Sequence, residues 1–139
     1  MQVDDPETLA QATAVFEAYE AALLANDNAT LEAMFLPSEQ TIRYGVAEVQ
    51  HGHAEIRAFR KVQAPFERRL SRTVITTYGK DFAIASTLFF RDDCPGEVGR
   101  QMQSWVRTDE GWKVAAAHVS MMPERGLQSM SPDSEHRFG

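Results

Sequence analysis

Apolar residues near the start of the chain recur at every third or fourth position. Leu9, Ala12, Phe16, Tyr19 and Leu23 make one stripe of an amphipathic helix. Asp5 stands as its N-cap and Pro6 in its first turn. The helix should stop near "NDN", where Asp27 or Asn28 caps a short second helix, "ATLEAMF", ended by Pro37. The period then changes to two. In "QTIRYGVAE", residues 40–48, Ile42, Tyr44 and Val46 share one face of a strand, and Thr41, Arg43 and Gly45 share the other. A brief strand, "EVQH", follows. After Gly52, "HAEIRAFRKVQA" predicts a third helix with Ile56 and Phe59 inward and Arg57, Arg60 and Lys61 mostly outward.

The remainder reads as sheet. "RRLSRTVITTYG" is rich in β-branched residues, and "GKD" turns it into "FAIASTLFFRD". "DCPGEVG" is a loop or wide hairpin, and "TDEG" joins "RQMQSWVRT" to "GWKVAAAHVSMM" as a hairpin. Alternation in the last strand groups Trp112, Val114, Ala116, His118 and Ser120 on one face. Lys113, Ala115, Ala117 and Val119 take the other. The order predicts an α+β fold, with three helices packed on a strongly curved, mixed or antiparallel sheet that forms a cone with an apolar mouth. Residues 1–124 make one domain, and 125–139, polar and rich in Ser and Pro, read as a loose tail or an arm for a neighbouring subunit.

Composition narrows the function. A chain of 139 residues holds one core. Its net charge of −6 argues against general nucleic-acid or anionic-membrane binding, though not against one local cationic pocket. The N-terminus lacks the basic and apolar regions of a secretory signal, and no apolar run is long enough to span a bilayer, so a reducing cytoplasmic setting is expected. Cys94, the single cysteine, has no partner and reads as a small turn residue. His51 and His53 form an H-x-H pair without a third ligand or carboxylate frame, which is not a metal site. Ser120 and His118 lie too close along one strand, with no identifiable acid, to be nucleophile and base.

The element order, with "HGHAEIRAF" and "SWVRTDEGWKVAAAHVS", resembles the SnoaL-like branch of the NTF2-like superfamily. "ATAVFEAYEAALLANDNATLEAMF", "TIRYGVAEVQHGHAEIRAFR" and "RTVITTYG" further resemble the AtzH-like family, which accompanies amidases in the breakdown of cyanuric acid and oxalurate. The resemblance implies a cofactor-independent, decarboxylating amidohydrolase acting on a small N-carboxylated urea, 1,3-dicarboxyurea, a flat dianion, and releasing allophanate. It places the catalytic pair, a helix-borne tyrosine and a strand-borne arginine, on Tyr19 and Arg43. It also implies a homodimer formed by convex sheet faces, with Phe89, Trp105 and Val106 as candidates for the apolar surface.

The chemistry accords with those residue types. A planar guanidinium facing a cavity grips a carboxylate with two parallel hydrogen bonds. Loss of CO2 from an N-carboxylate needs a proton on nitrogen, and a phenol can relay one if a cation stands beside it. Alternatively, Tyr19 orients a water against the carbonyl for direct amide hydrolysis, and either route gives allophanate and bicarbonate or CO2. Arg72 for a second carboxylate, with His118, Ser120 and Trp112 as further lining, completes the expected substrate site. The competing reading is a non-catalytic carboxylate binder or accessory subunit of a partner amidase, favoured by the lack of any Asp or Glu on the expected cavity face. The bland readings are a packed Tyr19 and an Arg43 that reaches solvent or pairs with Glu48. The catalytic proposal requires Arg43 to be buried and without a permanent acidic mate.

Overall fold

A computed structural model describes residues 1–127. Helix α1 spans Pro6–Leu24, α2 Asn28–Met34 and α3 His53–Val62. The caps follow the sequence: the Asp5 carboxylate accepts from the Thr8 backbone N–H and hydroxyl, and Asp27 does the same for Thr30. The strands are β1 (Ile42–Tyr44), β2 (Val49–His51), β3 (Arg68–Tyr78), β4 (Phe82–Arg91), β5 (Glu97–Thr108) and β6 (Gly111–Pro123), followed by a 3₁₀ turn at Glu124–Leu127. They form one mixed sheet in the order β2-β1-β6-β5-β4-β3, in which β1 runs parallel to β6 and the other pairs are antiparallel. The tail expected over 125–139 lies, from residue 128 onward, outside the described residues.

The helices cover the inner face of the sheet. Ala12, Phe16, Tyr19 and Leu23 from α1, Leu31 from α2 and Ile56 from α3 pack on Ala83, Ala85, Trp105, Trp112, Val114 and Ala117. That is the α1 stripe read from the sequence, except that Leu9 is half-buried and Thr8 is buried instead. An apolar stripe of this kind is what holds a helix to a sheet in water. Among the described residues no helix is long and apolar enough to cross a membrane.

Two irregularities set which side chains reach the interior. In β3 the register shifts between Ser71 and Val74. In β5 and β6 it shifts so that Ser104 faces Ala116 while Trp105 faces Val114, which leaves Ala115 as the extra residue. A bulge inserts one residue and reverses the alternation beyond it. Trp112 and Val114 therefore point inward before the bulge, and Ala117 and Val119 after it, while Ala116 and His118 are exposed.

Candidate active site

Helix α1, the two-strand hairpin β1–β2, α3 and the inner face of β3–β6 enclose a cavity of about 190 Å³. Tyr19 is on its wall, 3% exposed, with its ring edge-on to Phe35 and Trp105. Arg43 is on the wall as well, buried as the strand alternation predicts. The two predicted catalytic side chains thus share one cavity. They are not joined directly.

Tyr19 is held by a different cation. Arg60 Nη2 donates to the Tyr19 hydroxyl at 3.0 Å. Arg60 was expected to lie mostly outside, yet it is 2% exposed and lines the cavity. The reason is spacing. Ile56 and Arg60 are four residues apart on α3, so they occupy the same helix face, and Ile56 is fully buried. The Arg60 guanidinium lies 5.7 Å from the Phe59 ring centre and 5.9 Å from that of Phe35. Burial pushes its pKa below the ordinary arginine value, and the neighbouring Arg43 and Arg68 push it the same way.

Arg43 has acquired mates. Its Nη1 donates to Glu48 Oε1 at 3.0 Å and to Gln50 Oε1 at 2.9 Å, while its guanidinium lies over the Phe59 ring at 4.8 Å. Arg43 is therefore buried but paired with an acid, so the condition set for it as the catalytic cation is not met; Arg60 is the cavity cation that meets it among the described residues. The same contact corrects a second expectation, because Glu48 is an acid on the cavity wall. The chain leaves the strand after Tyr44, and the Gly45 N–H donates to the Glu48 carbonyl to close a tight turn. That turn brings Glu48, and also Val46, to the cavity rather than to the outer face. A Cβ at Gly45 would overlap the Glu48 carboxylate and the Arg43 guanidinium, so this glycine makes room for the ion pair and not for a ligand. Thr41 is sealed in the core, donating to the Leu36 carbonyl.

Two further arginines complete the lining. Arg68, at the start of β3, is buried. It makes a bidentate ion pair with Glu20 (3.0 and 2.5 Å), donates to Gln101 Oε1 at 3.1 Å and sits over Phe89. Arg91 at the mouth pairs with Asp93, and its pKa is raised by that contact. Of the four arginines on the cavity wall, Arg60 alone has no carboxylate in ion-pair range among the described residues.

The secondary site predictions do not converge there. Arg72 sits in the β3 bulge at a positive φ of 55° and borders a separate shallow pocket with Val74, Ser86 and Met102. His118 is exposed on the outer face, edge-on to Tyr44, and Ser120 accepts from Arg100 outside the cavity. The bulge at Ala115 is the cause, since it turns both residues outward. Trp112 is inward but in the core, where its indole N–H donates to Gln11 at 3.3 Å. Phe89 and Trp105, expected on a convex interface, are buried on the concave side, and Val106 is half-buried. His53 is engaged with the Glu32 carbonyl at 2.9 Å, and among the described residues no group of three His, Cys, Asp or Glu is placed to hold a metal. Partial burial and the Asp93 carboxylate raise the Cys94 pKa, the wrong direction for a nucleophile.

A family model described as AtzH-like matches residues 1–125. The chain belongs to the AtzH-like family. A cystatin-like fold protein from Burkholderia xenovorans is 48% identical to it, with a TM-score of 0.86 over 88% of this chain and 98% of that one. A Pectobacterium atrosepticum protein of unknown function is 49% identical, with a TM-score of 0.84 over 86% and 94%. A proposed dehydratase from the NTF2-like family of Streptomyces avermitilis is 18% identical, with a TM-score of 0.69 over 84% and 98%, and shows shared fold alone. No curated protein matches significantly. This AtzH-like chain therefore carries its predicted Tyr–Arg pair on the wall of an NTF2-like cone, with an additional arginine and a glutamate beside it.

Proposed function

We propose that this AtzH-like protein is an amidohydrolase acting without a cofactor on a small N-carboxylated urea, 1,3-dicarboxyurea, to give allophanate and bicarbonate. One observation carries the reading: a buried tyrosine hydroxyl touches a guanidinium that has no acidic partner among the described residues, inside a small cavity lined by arginines. A low-dielectric pocket with surplus positive charge selects anions, and about 190 Å³ suits a ligand of few atoms.

The roles follow from the contacts. Arg60 takes the part expected of Arg43 and holds a substrate carboxylate, while Arg43, paired with Glu48, positions that acid beside it. Glu48, fixed by Arg43 and by the Ala47 N–H at 3.1 Å, accepts a proton from water as its oxygen adds to the terminal carboxylate carbon. The C–N bond breaks, Tyr19 gives its proton to the departing nitrogen, and the proton taken by Glu48 restores the phenol. Arg60 stabilises the transient phenolate.

The test is release of allophanate and bicarbonate from 1,3-dicarboxyurea by wild type, Tyr19→Phe, Arg43→Ala and Glu48→Gln. Loss of the acid should lower kcat by about 10²- to 10⁴-fold, and Glu48→Gln by a similar factor. Wild-type rates from Tyr19→Phe and Arg43→Ala would refute the site. The engagement of Arg43 by both Glu48 and Gln50 favours a second reading, a carboxylate binder or accessory subunit of a partner amidase, which predicts binding without turnover.

A further inference from the structure

Two buried nitrogens on the cavity wall carry hydrogens with nowhere to go. Arg60 Nε and Gln101 Nε2 have no hydrogen-bond partner among the described residues. Their residues are 2% and 4% exposed, and both line the cavity. Buried donors are nearly always satisfied, so each orphan asks for an acceptor.

Neither atom is free to turn away. The Gln101 amide is oriented by Arg68, whose Nη1 donates to its oxygen at 3.1 Å, which leaves the NH₂ end as the part without a partner. Arg68 in turn is clamped by Glu20. Arg60 is anchored through Nη2 on Tyr19. Acceptors on the same wall are already committed: Glu48 Oε1 to Arg43, Glu48 Oε2 to the Ala47 N–H, and Gln103 Oε1 to the Trp105 indole at 3.0 Å. Among the described residues the cavity offers unused donors, one uncompensated cation and few unused acceptors. Its volume equals about six water molecules.

We infer that Arg60 Nε and Gln101 Nε2 are donors to the oxygens of one small dicarboxylate, with Gln101 the residue that separates dianions from monoanions. The inference rests on the proposed reading of the site as a pocket for a small dianion and adds two ligand-binding donors, one of them a specificity residue. Gln101 acts by leaving an unsatisfied donor whenever the ligand lacks a second acceptor group.

Malonate and acetate, one with two carboxylates and one with a single one, are the probes for calorimetric titration of the full chain. Wild type should bind malonate about tenfold or more tightly than acetate, the worth of one hydrogen bond to a charged group. Gln101→Glu keeps an oxygen for Arg68 but replaces the donor with an anionic oxygen. It should lose that preference while retaining its circular dichroism spectrum. Gln101→Met, which adds no charge, should lose malonate affinity by about tenfold and acetate affinity by less. Unchanged malonate binding in both variants, or equal wild-type affinity for the two anions, would mean that water alone satisfies these donors and would overturn the inference. Turnover separates the two claims. Malonate selectivity without hydrolysis of 1,3-dicarboxyurea removes the hydrolase reading and leaves the dicarboxylate site standing. Hydrolysis with KM unmoved by Gln101→Glu does the reverse.

Discussion

A binding group that waits without a partner should weaken the empty fold, and Arg60 allows that cost to be estimated. Taking a guanidinium from water to a site where it is 2% exposed costs several kcal/mol after relaxation, about 4 as a working figure. Against this stand the hydrogen bond to Tyr19, about 1.5 kcal/mol, and two distant aromatic contacts at about 0.5 kcal/mol each. Arg43 and Arg68 add repulsion. Roughly 1–2 kcal/mol remains uncompensated on these figures. Arg60→Met keeps the aliphatic stem but strands the Tyr19 hydroxyl, which costs about 1 kcal/mol, so the single variant should be near neutral. The double variant Arg60→Met/Tyr19→Phe should be stabilised by about 1–2 kcal/mol, raising Tm by about 3–6 °C. Urea unfolding monitored through the two tryptophans measures this, with anion binding lost in parallel. Destabilisation of the double variant by more than about 1 kcal/mol would refute the reasoning and make Arg60 a structural residue.

Two other outcomes are expected. Arg91 holds the Asp93 carboxyl down from its ordinary 3.8 to about 2. A depressed carboxyl stabilises above its unfolded value, so this contact should persist as pH falls to about 4 and disappear as pH falls through about 2. Carbon-13 titration of Asp93 should show that low midpoint, and Arg91→Ala should return it towards 3.8. At Gly99, directly opposite Phe89 in the ladder, an added Cβ would overlap the Phe89 ring. Gly99→Ala should therefore destabilise by about 1–3 kcal/mol by overpacking, with partial recovery on adding Phe89→Leu; no change in the chemical-denaturation midpoint would contradict it.

Local signals carried most of the architecture into the sequence. The α1 stripe, the Asp caps and the alternation around Arg43 each depend on neighbours within one turn or one strand, and each appears in the structure. The Tyr19 and Arg43 positions followed from resemblance together with that same alternation. What escaped is governed by single irregular residues. The turn at Gly45 moved Glu48 inward, and the bulge at Ala115 moved His118 and Ser120 outward. Neither can be read from periodicity, because each interrupts it. Arg60 was different: its i+4 relation to Ile56 was visible, but the usual preference of arginine for solvent outweighed it. Arg68 is buried because of Glu20, 48 positions earlier, a pairing only the tertiary fold reveals.

The extra residue at Ala115 acts as a phase change within one strand. Before it, β6 contributes a floor to the core through Trp112 and Val114; after it, Ala117 and Val119 give the binding chamber an aliphatic wall. Were that alanine paired in the ladder like its neighbours, strict parity would run on beyond residue 114 and the two surfaces would exchange. An imidazole would then stand where the ligand belongs, and methyl groups would meet the solvent. The pocket's chemistry is thus set partly by a residue whose side chain takes no part in it.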